Sequence, residues 1–431
     1  MHKDDKKPCL ETHNEFAVEK IPESRWVAWP RVAAVSAMVS FSLPTFVTGL
    51  EVANGMSGSQ AMIAFLLGSL IIAVIGAVMG AVGAKTRLSS YLLVRIAFGD
   101  TGARLVNLAF AISLLGWFGV NINLFTDAVD RLSQTVFGAG VPGLWLAIVA
   151  SACMTATTLV GFRAINVLSV LLVPILAAVT VLLATSALDS MPLADMLASQ
   201  NEANLTVGDG VSAIVGAIIV GAIILPDITR FVRHWSGAVY TAIVAYLVVQ
   251  LVVMVAAAMA GASSGMTDIL DILLAVNLGF GAFAIVIAGS WVLNSLNLYS
   301  AVLSSKASFP ALATRPLTIV LGVVGVIAAL MNILDSFVTF LFYLSVIFIP
   351  VAGVIIVDYL FIRSHHYDVA TLATNRAWNV SGITAWAAGA AVALLMSEGV
   401  LPPLTTIAAI DAILLSAVVY VLMTRLSGDR R

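Results

Sequence analysis

Trp117 and Asn121 lie in one apolar stretch, GWFGVNIN at positions 116–123, and their spacing could serve ligand binding. Residues four apart share a helix face, so the indole ring and the amide would stand side by side. An indole offers a flat apolar surface, and an amide offers a hydrogen-bond donor and acceptor. The pair suits a flat heterocycle with an amide-like edge. Helix packing by Trp117 and an interhelical hydrogen bond from Asn121 would explain it equally well.

A second polar stripe lies in SWVLNSLNLYSAVLSS, positions 290–305. Ser290 stands four residues before Asn294 and Asn297 three residues after it, which places all three on one helix face. Such groups in hydrocarbon need a ligand, a water molecule or another helix as partner, because an unpaired polar group is costly there. Their neutrality favours an uncharged polar ligand.

Carboxylates inside apolar segments could take part in proton transfer. Glu51 is the hardest of these to explain structurally, because no basic residue lies near it in the sequence. Asp227 stands three residues before Arg230, and we interpret it as half of a local ion pair. Glu51 is therefore the sequence candidate for a proton-coupling group.

The composition places these residues in a membrane protein. The chain has 431 residues, of which 61% are hydrophobic and 10% are charged, whereas soluble domains carry about 25% charged residues. A net charge of −2 gives no basic patch for a nucleic acid, so the expected partners are the lipid bilayer and a small molecule. The sequence has no hydrolase, phosphate-loop or metalloprotease motif and no Cys/His cluster with metal spacing. We therefore predict no enzyme activity, no metal centre and no organic cofactor.

Hydropathy predicts an all-α integral membrane protein with twelve transmembrane helices. The predicted spans are 31–53, 60–83, 104–128, 141–161, 164–186, 210–228, 237–262, 279–303, 314–332, 334–358, 377–397 and 404–424. We expect residues 31–424 to form one membrane domain, with tails at 1–30 and 425–431. Of the 21 basic residues, 20 lie in the even-numbered junctions and the two tails or at the span ends next to them, and only Arg131 lies elsewhere. The positive-inside rule then places both termini in the cytoplasm of a bacterial-type inner membrane.

The order of the spans suggests two repeats of inverted topology. Spans 1–5 (31–186) start from one side and spans 6–10 (210–358) from the other, because five is odd, and two extra helices follow at 377–424. The first span of each half is interrupted by Pro or Gly, in SFSLPTFVTG (40–49) and GAIIVGAIILPD (216–227). A broken membrane helix is tolerated where it lines a site or is buried in protein, which is a common transporter plan. Gly and Pro are also simply frequent in membrane helices.

Four stretches resemble the purine–cytosine permeases of the nucleobase–cation symporter family, and most of all their cytosine permease branch. They are GAKTRLSSYLLVRIAFG (83–99), GWFGV (116–120), DITRFVR (227–233) and IPVAGVIIVDYL (349–360). The resemblance implies two inverted five-helix repeats plus two helices, working by alternating access. It also implies that Trp117 stacks on a nucleobase.

The resemblance implies the remaining parts of the site by position. Span 6 would supply a second wall around Gly216, Ala217 and Ile218, and span 8 would supply edge-reading groups around Gly289, Ser290 and Asn294. A sodium ion would bind the carbonyl groups of Met38, Phe41 and Gly289 together with two span 8 hydroxyl groups.

The chain departs from the family pattern at two places. Cytosine permeases carry an aromatic ring where Ile218 aligns. The sodium-binding hydroxyl positions align with Val292 and Leu293, which have no side-chain oxygen, whereas a hard cation needs oxygen ligands. Either a shift in alignment brings Ser290 or Ser295 into the site, or coupling differs and uses protons.

We interpret the chain as a secondary active importer of a nucleobase-like heterocycle, coupled to Na⁺ or H⁺, with cytosine as first choice. Purines, allantoin, hydantoins and hydroxymethylpyrimidine are the next candidates. An amino-acid transporter on the same plan is the alternative within transport, and a channel or a transporter-like sensor is less favoured. The sequence leaves the oligomeric state open.

Overall fold

The computed structural model describes residues 20–200, 204–276, 278–279, 284–331, 336–368, 372, 376–402 and 404–427. Over these ranges the protein is built of helices, and its β-structure is limited to one isolated bridge between Val27 and Val232. The all-α prediction is therefore confirmed. Most of the two predicted tails, residues 1–19 and 428–431, lies outside the described residues.

Eight α-helices cover the first half of the chain. They are α1 (Trp29–Ser40), α2 (Leu43–Asn54), α3 (Gly58–Thr86), α4 (Ser90–Phe98), α5 (Asp100–Phe137), α6 (Gly143–Val160), α7 (Phe162–Ser190) and α8 (Leu193–Ala198).

Ten α-helices follow in the described residues of the second half. They are α9 (Val207–Ile223), α10 (Pro226–Thr229), α11 (Trp235–Ala242), α12 (Gln250–Ser264), α13 (Ile269–Ala275), α14 (Ser290–Ser308), α15 (Thr314–Ala329), α16 (Phe337–Val357), α17 (Val380–Ser397) and α18 (Ala408–Leu426). Three π-helical stretches join or extend them: Ile243–Val249 between α11 and α12, Ala284–Gly289 before α14, and Asp358–Ile362 after α16.

Ten of the twelve predicted spans correspond to helical stretches that are long and apolar enough to cross a membrane. Nine helical stretches of the described chain are long and apolar enough to cross a bilayer, and the pair α1–α2, bent by 50°, makes a tenth. The helix α15 is apolar but has 16 residues, and the predicted span 279–303 includes positions outside the described residues. The junction predicted at 332–333 also lies outside them, so the count of twelve stays a prediction.

Both predicted helix interruptions are present, and each lies next to a proline. The chain leaves α1 after Ser40 and restarts as α2 with Pro44 in its first turn, and it leaves α9 after Ile223 and restarts at Pro226. Proline has no N–H to donate, and the first helical turn needs none, so each proline starts a new helix. Pro174 lies inside α7 without ending it. Tertiary contacts therefore decide which proline interrupts a span.

The packing of the first half is repeated in the second half with the partners exchanged. The helix α2 packs on α12, as α9 packs on α3. The helix α1 packs on α7, as α9 packs on α16, and α5 packs on α15, as α14 packs on α6. A two-fold relation between two five-span halves produces this exchange, which supports the inverted repeat. The helices α17 and α18 pack on each other and on α16, outside the repeated set.

Junctions predicted to share one side of the membrane contact each other. The backbone N–H of Val27 donates to the carbonyl oxygen of Phe231 at 2.8 Å, and that of Asp100 donates to Arg376 at 2.9 Å. We call this side the basic face. Arg131, the one basic residue predicted on the other side, pairs there with Asp268 at 2.9 Å. The grouping of junctions read from the charges is therefore reproduced by the fold.

Candidate functional site

A cavity lies where the two broken spans meet the unbroken helices α5 and α14. The space inside it that the centre of a water-sized sphere can occupy is about 60 Å³. Of the residues predicted for the site, Trp117, Ala217 and Ile218 line this cavity. We call it the central cavity. Its polar lining residues include Asn297, Ser36 and Asp227.

Trp117 forms an aromatic wall of the central cavity. Its side chain is 7% exposed, and its ring meets the rings of Phe337 and Phe340 edge-on, with centroids 6.1 Å and 5.4 Å apart. Edge-to-face contacts hold an indole in place while leaving ring surface available. The two phenylalanines belong to α16 and were missed by the sequence reasoning, because FVTFLF reads as an ordinary apolar helix.

The residues predicted for the span 6 wall have two different roles: two line the central cavity, and one packs against a neighbouring helix. Ala217 and Ile218 face the central cavity, whereas Gly216 lies against the carbonyl oxygen of Leu341 on α16. A methyl group at Gly216 would overlap that oxygen. This glycine therefore serves the close approach of α9 to α16, and its neighbours form the wall.

Asn121 is buried behind Trp117 and does not line the central cavity. Its Nδ2 donates to the carbonyl oxygen of Trp117 at 2.8 Å, and its Oδ1 has no hydrogen-bond partner. Asn123 on the neighbouring face donates to the carbonyl oxygen of Ala329 at 2.9 Å and joins two helices. On the helix face that Trp117 and Asn121 share, the amide is thus bonded to the backbone, and only the indole reaches the cavity.

The stripe on α14 forms a relay that begins at the cavity. Asn297 lines the cavity, and its Nδ2 donates to Oδ1 of Asn294 at 3.4 Å. The Nδ2 of Asn294 donates in turn to the carbonyl oxygen of Phe118 at 3.1 Å. Ser290 is buried, and its hydroxyl has no hydrogen-bond partner. The cavity therefore meets Asn297, while Asn294 lies one layer behind it.

Two of the residues predicted for a cation site, Phe41 and Gly289, approach each other at the break between α1 and α2. A Cβ placed on Gly289 would lie 3.6 Å from the carbonyl oxygen of Phe41, and Met38 is fully buried in the helix that leads to the break. Residues three and four after Gly289 lie on the same helix face, and they are Val292 and Leu293. The hydroxyl of Ser295 donates to the carbonyl oxygen of Trp291 at 2.8 Å. The alignment of Val292 and Leu293 with the hydroxyl positions of a sodium site stays a prediction, and the unpartnered hydroxyl of Ser290 lies next to Gly289 in the chain.

Glu51 lies in a different cavity, on the face opposite the basic face. This second cavity is lined by Glu51, Asp127, Arg131 and Asp268, with Phe337 among its apolar residues. Trp117 of the central cavity contacts Phe337 of the second one, so the two cavities are neighbours at this pair of rings. Glu51 is thus exposed to the second cavity and not to the central one.

Asp227 is a lining residue that the sequence reasoning assigned to a local ion pair. It is 3% exposed, and its Oδ1 accepts hydrogen bonds from the backbone nitrogen and the hydroxyl of Ser90 at 2.9 Å and 2.8 Å. Its Oδ2 has no hydrogen-bond partner. The spacing to Arg230 indicated a neighbouring charge correctly, but nothing in the spacing indicated the cavity.

The described residues hold no group of three or more His, Cys, Asp or Glu side chains placed to bind a metal ion. The ionisable residues that line the central cavity are Asp227, Tyr246 and Tyr299.

Comparison with known proteins identifies relatives over almost the whole chain. The profile of a family described as permeases for cytosine/purines, uracil, thiamine and allantoin matches residues 22–419. The cytosine permease of Escherichia coli strain K12 is 29% identical over 411 residues, which are 95% of this chain and 94% of that protein.

Solved structures share the fold. Mhp1, a nucleobase-cation-symport-1 family transporter in a closed conformation with bromovinylhydantoin bound, superposes with a TM-score of 0.82 at 18% identity and covers 95% of both chains. The inward-facing conformation of Mhp1 gives a TM-score of 0.80 at 16% identity, over 96% of this chain and 94% of that one.

Proposed function

Since the chain belongs to the family of permeases for cytosine/purines, uracil, thiamine and allantoin, we propose that it imports a nucleobase or a related heterocycle by cation-coupled alternating access. Cytosine is the first candidate, because the cytosine permease of Escherichia coli is a relative over nearly the full length. Purines, allantoin, hydantoins and hydroxymethylpyrimidine follow. The chain is a membrane transporter and not an enzyme.

One observation carries this proposal: the Trp117 ring and the Asn297 amide line the same cavity. The ring supplies a stacking surface, and the amide supplies a donor and an acceptor for a heterocycle edge. Asn294 and Phe118 hold that amide relative to the helix of Trp117. Ile218 covers the ligand without a π-face, so stacking comes from Trp117 alone.

The substrate-binding residues that we propose from the structure differ from those predicted from the sequence. We retain Trp117, Ala217 and Ile218 as direct contacts and add Asn297. The other residues predicted to bind the substrate are not among those that line the cavity: Asn121, Gly216, Gly289, Ser290 and Asn294.

The coupling ion is proposed to be the proton. The family resemblance assigns Met38, Phe41 and Gly289 to a sodium site, but Val292 and Leu293, which align with its hydroxyl positions, have no side-chain oxygen to offer. Sodium requires several oxygen ligands, so a carboxyl group is the better carrier of the coupling charge. Glu51 stays a candidate for this role from the sequence.

The orientation is proposed from charge. The basic face would lie in the cytoplasm of an inner membrane, with both termini on that side. The second cavity, which contains Glu51, would then face the outside.

Thermal stabilisation in detergent tests the substrate. Cytosine, uracil, adenine, hypoxanthine, allantoin and hydroxymethylpyrimidine are each added with and without sodium. A ligand of the folded state at 100 times its Kd contributes about 2.7 kcal/mol, which is readily measured. We expect cytosine to raise Tm equally in both buffers. Stabilisation by cytosine only with sodium would refute proton coupling, and stabilisation by none of the six would refute the substrate class.

A further inference from the structure

The carboxyl group of Asp227 is the one described membrane carboxyl that combines burial, a free oxygen and contact with the central cavity. Its Oδ2 lacks a hydrogen-bond partner, although the side chain is 97% buried. Asp358 is also buried, but it accepts hydrogen bonds from Arg363, Tyr367 and Tyr420. Asp411 accepts two backbone N–H groups, from Leu404 and Thr405.

The fold leaves this oxygen buried and unpaired on a residue that lines the central cavity. Asp227 and Trp117 line the same cavity. A buried polar atom without a partner is costly and marks a site that is completed by something else. A proton bound at Oδ2 would remove the charge that burial penalises.

Arg230 connects Asp227 to other parts of the fold, so the charge of Asp227 can affect them. It is fully buried, and its Nε donates to the carbonyl oxygen of Asp227 at 3.1 Å. Its guanidinium also donates to the hydroxyl of Tyr299 on α14 and lies over the ring of Phe231. The ionised carboxyl group and this buried cation attract each other across the protein interior, so neutralising the carboxyl group weakens the electrostatic stabilisation of the cation.

Other groups around Asp227 come from four elements. From α4, the hydroxyl of Tyr91 lies nearby but donates to the carbonyl oxygen of Ser300 at 2.8 Å. From α14, the hydroxyl of Tyr299 lies in the field of both Asp227 and Arg230.

The other two elements place their charges away from the carboxyl group. Next to α3, Arg87 donates to the carbonyl oxygen of Arg230, and Lys85 lies over the ring of Trp235. From α1, Ser36 reaches the cavity, and Arg31 is exposed.

From this geometry we infer that Asp227 is the proton-binding group of the transport cycle, with the proton held at Oδ2. The inference rests on the proposed transport function and names its coupling site. Proton binding neutralises Asp227 and removes the electrostatic attraction between its carboxyl group and Arg230, which favours hydration and opening at the basic face. Loss of the proton to that side restores the Asp227–Arg230 interaction and closes the cavity. Coupling follows because the proton binds the two states with different affinity.

A substrate-free measurement tests the proton site directly. Infrared difference spectra of the purified protein between acidic and alkaline sodium-free buffers should contain the C=O stretch of a protonated carboxyl group. We expect this band to be lost in Asp227→Asn, shifted in Asp227→Glu and kept in Glu51→Gln. A wild-type protein without the band, or a band that survives Asp227→Asn unchanged, would overturn the inference whatever the substrate is.

Transport in proteoliposomes supplies the second readout, with radiolabelled cytosine as the probe. A gradient of one pH unit sustains up to about tenfold accumulation for one proton per substrate. We expect wild type to approach this value without sodium. Asp227→Asn should exchange cytosine across the membrane at equilibrium but accumulate it only about onefold, with Asp227→Glu restoring part of the accumulation. Accumulation by Asp227→Asn equal to wild type would refute the inference. Failure of cytosine to bind any variant would refute the substrate alone, and the infrared result would still decide the role of Asp227.

Discussion

The Nδ2 atom of Asn294 donates a hydrogen bond to the carbonyl oxygen of Phe118, 3.1 Å away on a different helix. Phe118 follows Trp117 in the chain, and Asn297 donates to the other end of the same Asn294 amide. One side chain therefore positions the two groups that we propose to contact the substrate. This relay joins the stacking surface on α5 to the edge-reading amide on α14.

Removing the edge-reading amide should weaken binding without unfolding the protein. We expect Asn297→Ala to raise the Kd for cytosine about tenfold, equivalent to about 1.4 kcal/mol, because a hydrogen bond to the ligand is lost. Isothermal titration or ligand-induced Tm shifts measure the change. Asn123→Ala is the matched control, since Asn123 bonds Ala329 outside the cavity. An equal loss of affinity in the control would argue against a direct contact from Asn297.

Truncating the stacking ring should cost more than replacing it by another ring. Base–aromatic stacking contributes about 1–3 kcal/mol, so Trp117→Ala should raise the Kd roughly 5- to 150-fold. Trp117→Phe keeps a π-face and should recover most of the affinity. If the phenylalanine and alanine variants bind equally weakly, stacking is not what Trp117 contributes.

A ring added at Ile218 tests whether the stacking is one-sided. Ile218→Phe should tighten cytosine binding several-fold, because a second π-face would cover the ligand. Ile218→Leu keeps the volume and adds no ring, so it should leave the Kd near that of wild type. Tighter binding by both variants would point to packing and not to the aromatic face.

Gly216 should be intolerant of even a methyl group. Its missing side chain allows α9 to approach the carbonyl oxygen of Leu341, so Gly216→Ala should lower Tm by several degrees through overpacking of about 1–3 kcal/mol. Gly221 on the same helix offers the control, because a Cβ there would meet only the hydroxyl of Tyr246, at 3.7 Å. Thermal unfolding in detergent compares the two, and equal Tm values would disprove the packing role.

Asp358 should anchor the last two helices to the repeats. It is 1% exposed and accepts from Arg363 at 3.0 Å, from Tyr420 of α18 at 2.7 Å and from Tyr367. Burial and the Asp358 carboxylate raise the pKa of Tyr367 well above its ordinary value, so its hydroxyl remains a donor at physiological pH.

Neutralising this acid leaves a largely buried guanidinium without its counter-charge. We expect Asp358→Asn to lose about 3–5 kcal/mol of stability. Asp368→Asn, at an exposed pair with Lys20, should change stability by less than about 1 kcal/mol. Thermal unfolding of both variants measures this, and a small loss for Asp358→Asn would show that its hydrogen bonds are replaced by others.

The sequence by itself determined the membrane class, the grouping of the junctions and the broken first span of each half. These depend on local or summed properties: apolar block length, the distribution of Lys and Arg, and prolines that cannot continue a helix. The family motifs added the inverted-repeat fold and pointed to Trp117.

Only the tertiary structure decided which polar groups reach the cavity. Asn121 and Asn297 are chemically identical and lie in equally apolar helices, yet Asn121 bonds its own helix and Asn297 lines the cavity. Asp227 likewise has the spacing of an ordinary helix ion pair. In the structure, however, Ser90 of helix α4 donates to its Oδ1, and the residue lines the cavity. Periodicity specifies the face of a helix on which a residue lies. What that face meets depends on neighbouring helices that are distant in the sequence.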